Sequence, residues 1–122
     1  MKKEVKDLWV EALKSGEYIQ GHQYLNIDNS FCCLGVLCEV AIKSGLALEK
    51  TFGGGYYVYG EDSYNMLPQK VMEWAGMRSR AGEFSSSSLY RHPKNSLWAL
   101  NDVQRYSFEQ LAAVIEESWE QL

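Results

Sequence analysis

The chain has 122 residues, a length that suits one domain with a modest core and is too short for two. Its 46% hydrophobic content excludes an intrinsically disordered protein, and its formal net charge of −4 argues against binding nucleic-acid polymers, which need a basic surface. The longest apolar run, residues 31–42, is too short to cross a bilayer, and residues 1–14 are too charged for a signal peptide, so we expect a cytoplasmic protein without membrane association.

The N-terminal segment is predicted to form an amphipathic helix that ends before Gly16. Its apolar residues recur at the spacing of one helix face: Val5, Leu8, Trp9, Ala12 and Leu13. Residues 17–27 are typical of extended chain around a turn near Gly21. Residues 28–30, Asp-Asn-Ser, are predicted to form a polar turn and to cap the next helix.

Three cysteines lie within FCCLGVLC, residues 31–38, and this stretch could be a metal site, a nucleophile, a disulfide or a core. Their odd number and spacing fit neither a closed disulfide framework nor a structural zinc site. No neighbouring cation or histidine would lower a thiol pKa. The run is apolar nearly all round, which is typical of the buried central helix of a domain, and Gly45 is expected to end it.

Residues 53–55, three glycines, predict a hairpin tip that is either an ordinary loop or a loop bordering a ligand, and residues 56–59 predict a strand. The glycines lack the Lys-Ser/Thr of a phosphate-binding P-loop. Glu61 and Asp62 are interpreted as a polar turn. Pro68 favours the start of a short helix that ends at Gly76. The buried face of that helix is expected to comprise Val71, Trp74 and Met77.

Residues 77–96 hold three of the chain's four arginines and only one acidic residue, Glu83. The segment has no apolar periodicity, so it is either a solvated loop or an anion pocket. In the second case, guanidinium groups would match phosphate oxygens, and Phe84 or Tyr90 would stack on a base.

The C-terminal residues predict a helix that begins with a capping box formed by Ser107 and Gln110. Its apolar face is Phe108, Leu111, Ala112, Ile115 and Trp119. Residues 97–102 are interpreted as a strand or short turn. The order of elements predicts a single α+β domain over residues 1–122, with a small antiparallel sheet packed with helices around the central Cys-rich helix.

Catalysis is not indicated, because the sequence has no GxSxG, HExxH or DxD pattern and neither histidine has a recognisable catalytic spacing. We therefore expect no catalytic residue, no bound metal and no cofactor.

Four stretches together resemble the Thoeris anti-defence sponges encoded by phages, the first such family described. They are WVEALKSGEYIQG, FCCLGVLCEVA, LPQKVMEWAGM and LNDVQRYSFEQLAAVIEE, which extend over nearly the whole chain. The resemblance implies a protein of the host bacterial cytoplasm that binds the immune signal glycocyclic ADP-ribose without cleaving it. It also implies a homo-oligomer, at least a dimer, with pockets shaped by neighbouring subunits.

Some members of that family bind cyclic oligonucleotides at a separate site, through an Arg-Gly-Ala-Leu-Arg stretch. This chain has residues 22–26, HQYLN, in that place and lacks both arginines. The second site is therefore an open alternative.

The resemblance and the residue chemistry together select the candidate ligand residues. Phosphate contacts are expected from the four arginines, Arg78, Arg80, Arg91 and Arg105. Base stacking is expected from Phe84, polar contacts from Asn95, Asn101 and Asp102, and a lip contact from Tyr57. The alternatives are a module that inhibits a host defence protein by direct contact, and an enzyme that cleaves the nucleotide.

Overall fold

A computed structural model describes residues 1–84 and 95–122. In this part of the chain the helices are α1 (Lys3–Lys14), α2 (Cys33–Lys43), α3 (Gln69–Ala75), α4 (Leu97–Asp102) and α5 (Phe108–Ser118), followed by a 3₁₀ turn, Trp119–Gln121. The strands are β1 (Ile19–Gln20), β2 (Asn26–Ile27), β3 (Ser30–Phe31), β4 (Lys50–Gly53) and β5 (Tyr56–Tyr59). The predicted α+β class and the C-terminal helix are confirmed.

The sheet is mixed rather than antiparallel, with strand order β1-β3-β2-β5-β4. β2 and β3 form a hairpin whose two turn residues, Asp28 and Asn29, have positive φ values of 50° and 61°. Positive φ values at both positions are typical of tight two-residue hairpin turns. On the side of β3 that does not face β2, β1 pairs with it in parallel. The predicted polar turn is thus present, but it joins two strands and does not cap α2, whose N-cap is Cys32.

The Cys-rich helix α2 is the centre of the fold, as its composition indicates. Residues 33–38 are all buried, and α2 packs against α1, α3 and α4. The Trp9 indole N–H of α1 donates to the Cys33 carbonyl oxygen at 2.9 Å. Helix α1 also packs along α5, but Leu8, expected on its buried face, is 44% exposed.

The prediction of a strand or turn at residues 97–102 is wrong, because these residues form α4. Ser96 caps this helix by accepting a hydrogen bond from the Ala99 amide at 3.1 Å, and Leu97 and Leu100 are buried on one side of it. A run of only six residues shows too few turns for periodicity to separate a helix from a strand.

The other predicted elements agree with the structure. Gly76 ends α3 in the left-handed conformation with a φ of 70°, and Val71 and Met77 are buried, whereas Trp74 is half-buried. Both halves of the capping box at Ser107 and Gln110 are formed. The described helices are all too short or too polar to span a membrane.

Candidate functional site

Two predicted ligand residues, Phe84 and Asn95, are brought side by side. The Phe84 amide donates to the Asn95 carbonyl oxygen at 3.0 Å, and Glu83 and Ser96 form a β-bridge beside them. Residues 85–94, which include the predicted Arg91, lie outside the described residues. Phe84 and Asn95 therefore flank that segment and lie next to each other, in what we call the Phe84–Asn95 patch.

Phe84 and Asn95 offer different chemistry in this patch. Phe84 is 5% exposed and belongs to the hydrophobic core, whereas the side chain of Asn95 is exposed. Asn95 can therefore donate and accept hydrogen bonds with a molecule arriving from solvent. A base could stack on Phe84 only after its ring face was uncovered, so the stacking role stays a prediction.

Arg80 lines a cleft of about 870 Å³ between the chain before β4, the turn after β5 and the start of α3. Its Nε donates to the Leu67 carbonyl oxygen at 2.6 Å, and its Nη2 donates to Ser63 Oγ at 3.0 Å. These bonds use two of the five N–H donors of a guanidinium group. The charged lining residues of the cleft are Arg80, Lys70, Glu49, Glu61 and Asp62.

Arg78 lies apart from this cleft, three residues after the end of α3 and beside the C-terminal residue Leu122. Its backbone amide donates to the Leu122 carbonyl oxygen at 3.0 Å, and its side chain is exposed. Partial burial, and secondly the positive charge of Arg78, lower the pKa of the Met1 amino group. Arg78 and Arg80 are therefore fixed by different parts of the fold.

Asn101, Asp102 and Arg105 form a third group, at the end of α4. Asn101 is fully buried; its Oδ1 accepts from Gln20 Nε2 at 2.9 Å and from the Cys33 amide at 3.2 Å. Its Nδ2 donates to the Gly21 carbonyl oxygen at 3.1 Å and to Asp102 Oδ1 at 2.7 Å. The amide is thus fully engaged inside the protein, and a ligand contact by Asn101 would replace one of these bonds.

Arg105 is the member of this group that faces solvent. It has a positive φ of 56°, and its Nη1 lies 3.4 Å from His22 Nδ1. A guanidinium beside an imidazole can form an anion-binding pair. This pair is a second place, distinct from the Arg80 cleft, where the chain can offer a cation to a phosphate.

Tyr57 lies on β5, away from the other candidates. Its ring contacts Phe52 with a centroid distance of 5.0 Å, and Lys50 Nζ lies 4.8 Å from the same ring. The eight candidates among the described residues therefore do not converge on one pocket within a single chain. Phe84 and Asn95 lie together, Asn101, Asp102 and Arg105 lie together, and Arg80, Arg78 and Tyr57 occupy separate places.

Comparison with known protein families gives one match, which covers residues 1–119 and is described as a domain of unknown function, DUF8296. The chain belongs to this family. No curated protein and no solved structure matches it.

Two polar and aromatic clusters of this DUF8296 chain were missed from the sequence. Tyr24, Tyr56 and Tyr64 form a surface cluster with ring centroids 4.7–6.1 Å apart. Tyr59 is buried and donates its hydroxyl to Glu39 Oε2 at 2.6 Å. The abundance of tyrosine was the available signal, but the pairing of β2 with β5 that joins these residues is a long-range contact without a local pattern.

The three cysteines are buried and unpaired, which confirms that FCCLGVLC is core. Burial raises the pKa of the Cys32 thiol from 9.0 to about 12 and holds the pKa of Cys33 and Cys38 well above 9.0. Thiolates are the nucleophilic form, so these thiols are inert in the folded protein. Among the described residues, no group of three or more His, Cys, Asp or Glu could hold a metal ion.

The raised thiol pKa values predict a loss of stability at alkaline pH. Unfolded thiols ionise from pH 9.0 upward, whereas the folded thiols keep their protons. The free energy of unfolding is therefore not reduced by thiol ionisation below pH 9. Above pH 9 it falls by about 1.4 kcal/mol per pH unit for each thiol. Urea unfolding under reducing conditions at pH 8, 9 and 10 measures this slope. Replacing Cys38→Ala should make the slope shallower, and an unchanged slope would contradict the burial of that thiol.

Proposed function

We propose that this protein binds and sequesters a cyclic ADP-ribose-type signalling nucleotide without cleaving it, and thereby blocks Thoeris anti-phage defence in the host bacterial cytoplasm. The proposal draws on the four stretches that resemble the sponge family. The observation that carries it is the meeting of Phe84 and Asn95, which are 11 positions apart and are joined by a 3.0 Å hydrogen bond. These are the residues first expected to contact the base and its polar edges.

The patch and the separate Arg80 cleft each offer chemistry that suits one part of a nucleotide diphosphate. Asn95 presents an exposed amide for ribose hydroxyls or base edges, and the Phe84 ring would stack on the base once its face was uncovered. Arg80, which lines a cleft apart from this patch, carries donors that its two internal hydrogen bonds do not use. A cleft of about 870 Å³ is within the size range of small-molecule sites.

Sequestration requires tight binding, and this requirement supports an oligomer. A sponge that competes with an effector for a scarce messenger needs roughly nanomolar affinity, about −12 kcal/mol. Exposed ion pairs contribute only about 0–1 kcal/mol each, so charged contacts on an open surface cannot supply this. A second subunit placed over the Asn95 patch would remove the ligand from water and could bring separated candidates such as Arg105 to the same molecule.

Binding without cleavage is consistent with the side-chain chemistry of Phe84, Asn95 and Arg80. Phe84, Asn95 and Arg80 carry neither a nucleophile nor a general base. The cysteines are buried with raised pKa values, so they supply no thiolate. Phe84, Asn95 and Arg80 can therefore hold a ligand through hydrogen bonds, charge and apolar contact, and none of these three is suited to attack a phosphodiester or glycosidic bond.

Calorimetric titration with glycocyclic ADP-ribose, followed by heating and recovery of the nucleotide, tests the proposal. We expect tight binding and intact recovery. Asn95→Ala should weaken binding by about tenfold or more, because it removes polar contacts worth roughly 1.5 kcal/mol. Gln104→Ala, a change at another exposed amide, is the matched control and should leave affinity unaltered.

Recovery of breakdown products would identify an enzyme instead. Absence of both heat and thermal stabilisation would refute the nucleotide proposal and favour direct inhibition of a host defence protein. If Asn95→Ala bound the nucleotide as tightly as Gln104→Ala, the ligand would lie away from the Phe84–Asn95 patch. Titration with a cyclic trinucleotide in the presence of saturating glycocyclic ADP-ribose tests the separate cyclic-oligonucleotide site.

A further inference from the structure

Strand β4 is an edge strand whose outer side has no partner among the described residues. It lies last in the strand order, and all four of its residues are exposed. Phe52, in the middle of it, is 61% exposed. Exposed edge strands are templates for pairing with another extended chain.

The register of β4 shows which backbone groups are open. The Gly60 amide donates to the Glu49 carbonyl oxygen at 2.8 Å, so Glu49 and Gly60 face each other across the ladder. Because facing pairs alternate in an antiparallel ladder, Thr51 also bonds toward β5, whereas the N–H and C=O groups of Lys50 and Phe52 point away from it. Lys50 and Phe52 therefore present the donors and acceptors that an added strand needs.

The charge beside this edge is negative. A groove of about 470 Å³ runs along β4 and is lined by Glu49 and Glu61, with no lysine or arginine in its lining. The same two carboxylates also line the cleft of about 870 Å³, so the two depressions adjoin at these residues. The nearest cation on the strand, Lys50, already pairs with Glu39 at 2.9 Å.

We propose that the β4 edge binds an extended basic peptide segment of another protein as an added strand. The peptide backbone would bond to Lys50 and Phe52, and its alternate lysine or arginine side chains would lie in the groove near Glu49 and Glu61. Apolar residues on its other face would pack on Phe52, whose ring already contacts Tyr57 at 5.0 Å. This site is separate from the Phe84–Asn95 patch and does not depend on nucleotide binding.

Fluorescence anisotropy with short synthetic peptides tests the proposal on the full chain. The probe is a labelled six-residue peptide of alternating lysine and valine, and the comparison peptide has glutamate in place of lysine. We expect saturable binding of the lysine peptide that weakens as salt increases, and no binding of the glutamate peptide. N-methylation of alternate residues should abolish binding, because it removes the ladder hydrogen bonds without altering charge.

Two sets of protein variants distinguish the contribution of the groove carboxylates from that of the β4 backbone. The double substitution Glu49→Gln with Glu61→Gln should weaken binding by roughly two- to thirtyfold, since each of the two exposed ion pairs contributes about 0.2–1 kcal/mol. Phe52→Pro removes one outward N–H at an edge position where proline is tolerated, so it should bind more weakly than Phe52→Ala, which keeps that donor.

The opposing outcomes are distinct. Equal binding of the lysine and glutamate peptides would refute the charge preference, and full binding of the N-methylated peptide would refute strand addition. Lack of binding by every peptide would refute the site. A concentration-dependent dimer of the free protein that Phe52→Pro abolishes and Phe52→Ala retains would assign the edge to a second copy of this chain and overturn the proposal.

Discussion

Replacing Gly35 by alanine should destabilise the protein by about 2–3 kcal/mol, although alanine is the better helix former. Gly35 is the glycine of CCLGVLC and lies inside α2, where the helix crosses the chain before β2. A Cβ atom there would lie 2.7 Å from the Leu25 carbonyl carbon and closer still to its oxygen. Helix propensity favours alanine by only about 1 kcal/mol, whereas this clash is with backbone and cannot be relieved by a side-chain rotation.

Thermal and urea unfolding measure the effect of Gly35→Ala, with Gly53→Ala as the matched control. A Cβ added at Gly53 meets no atom within 4 Å, and Gly53 does not have a positive φ. The control should therefore change stability by less than about 0.5 kcal/mol. If Gly35→Ala were as stable as the control, the close approach of α2 to Leu25 would be wrong.

Gly35 illustrates what a single sequence can and cannot predict. The apolar content of residues 33–38 was enough to identify a buried helix, because burial all round leaves a local compositional pattern. The reason for a glycine in that helix was not predictable. It depends on Leu25, ten positions away, whose placement follows from the β2–β3 hairpin that precedes α2.

The sheet was predicted only where its strands have a local sequence pattern. The strand at residues 56–59 has a local signal in its aromatic residues and its glycine turn. Strands β1, β2 and β3 have two residues each, too few for a period of two to be recognised, and no local pattern indicates that β1 pairs in parallel with β3. The position of such short strands depends on tertiary packing, whereas longer strands can be recognised from the β propensity of their residues.

The candidate site shows a similar division between residue type and placement. The chemistry of Arg80, Asn95 and Phe84 could be proposed from composition, and the structure then places Phe84 beside Asn95. The sequence could not reveal that Arg78 is held near the chain end at Leu122 or that Asn101 is buried. An asparagine can be a surface ligand or an internal bridge, and only its surroundings distinguish the two.

Asn101 provides the second large prediction, because its side chain joins three separate parts of the fold. Asn101→Ala should destabilise the protein by about 3 kcal/mol. The change leaves the Gly21 carbonyl and the Cys33 amide without their side-chain partner in a buried position, and each unpaired buried group costs about 1–3 kcal/mol. Chemical unfolding measures the loss, and Gln104→Ala, at an exposed amide two residues after α4, should be nearly neutral.

Asn101→Asp separates the hydrogen bonds from the shape of the side chain. The new carboxylate oxygen would face the Gly21 carbonyl and Asp102 Oδ1, both of which accept from the present amide. Burial and the neighbouring Asp102 charge would raise the folded pKa of the new carboxyl. Its protonated form can donate as the amide does, so the stability of this variant should recover as the pH falls toward 4, whereas that of Asn101→Ala should not. Equal pH profiles for the two variants would show that the hydrogen bonds of the Asn101 amide do not contribute to stability.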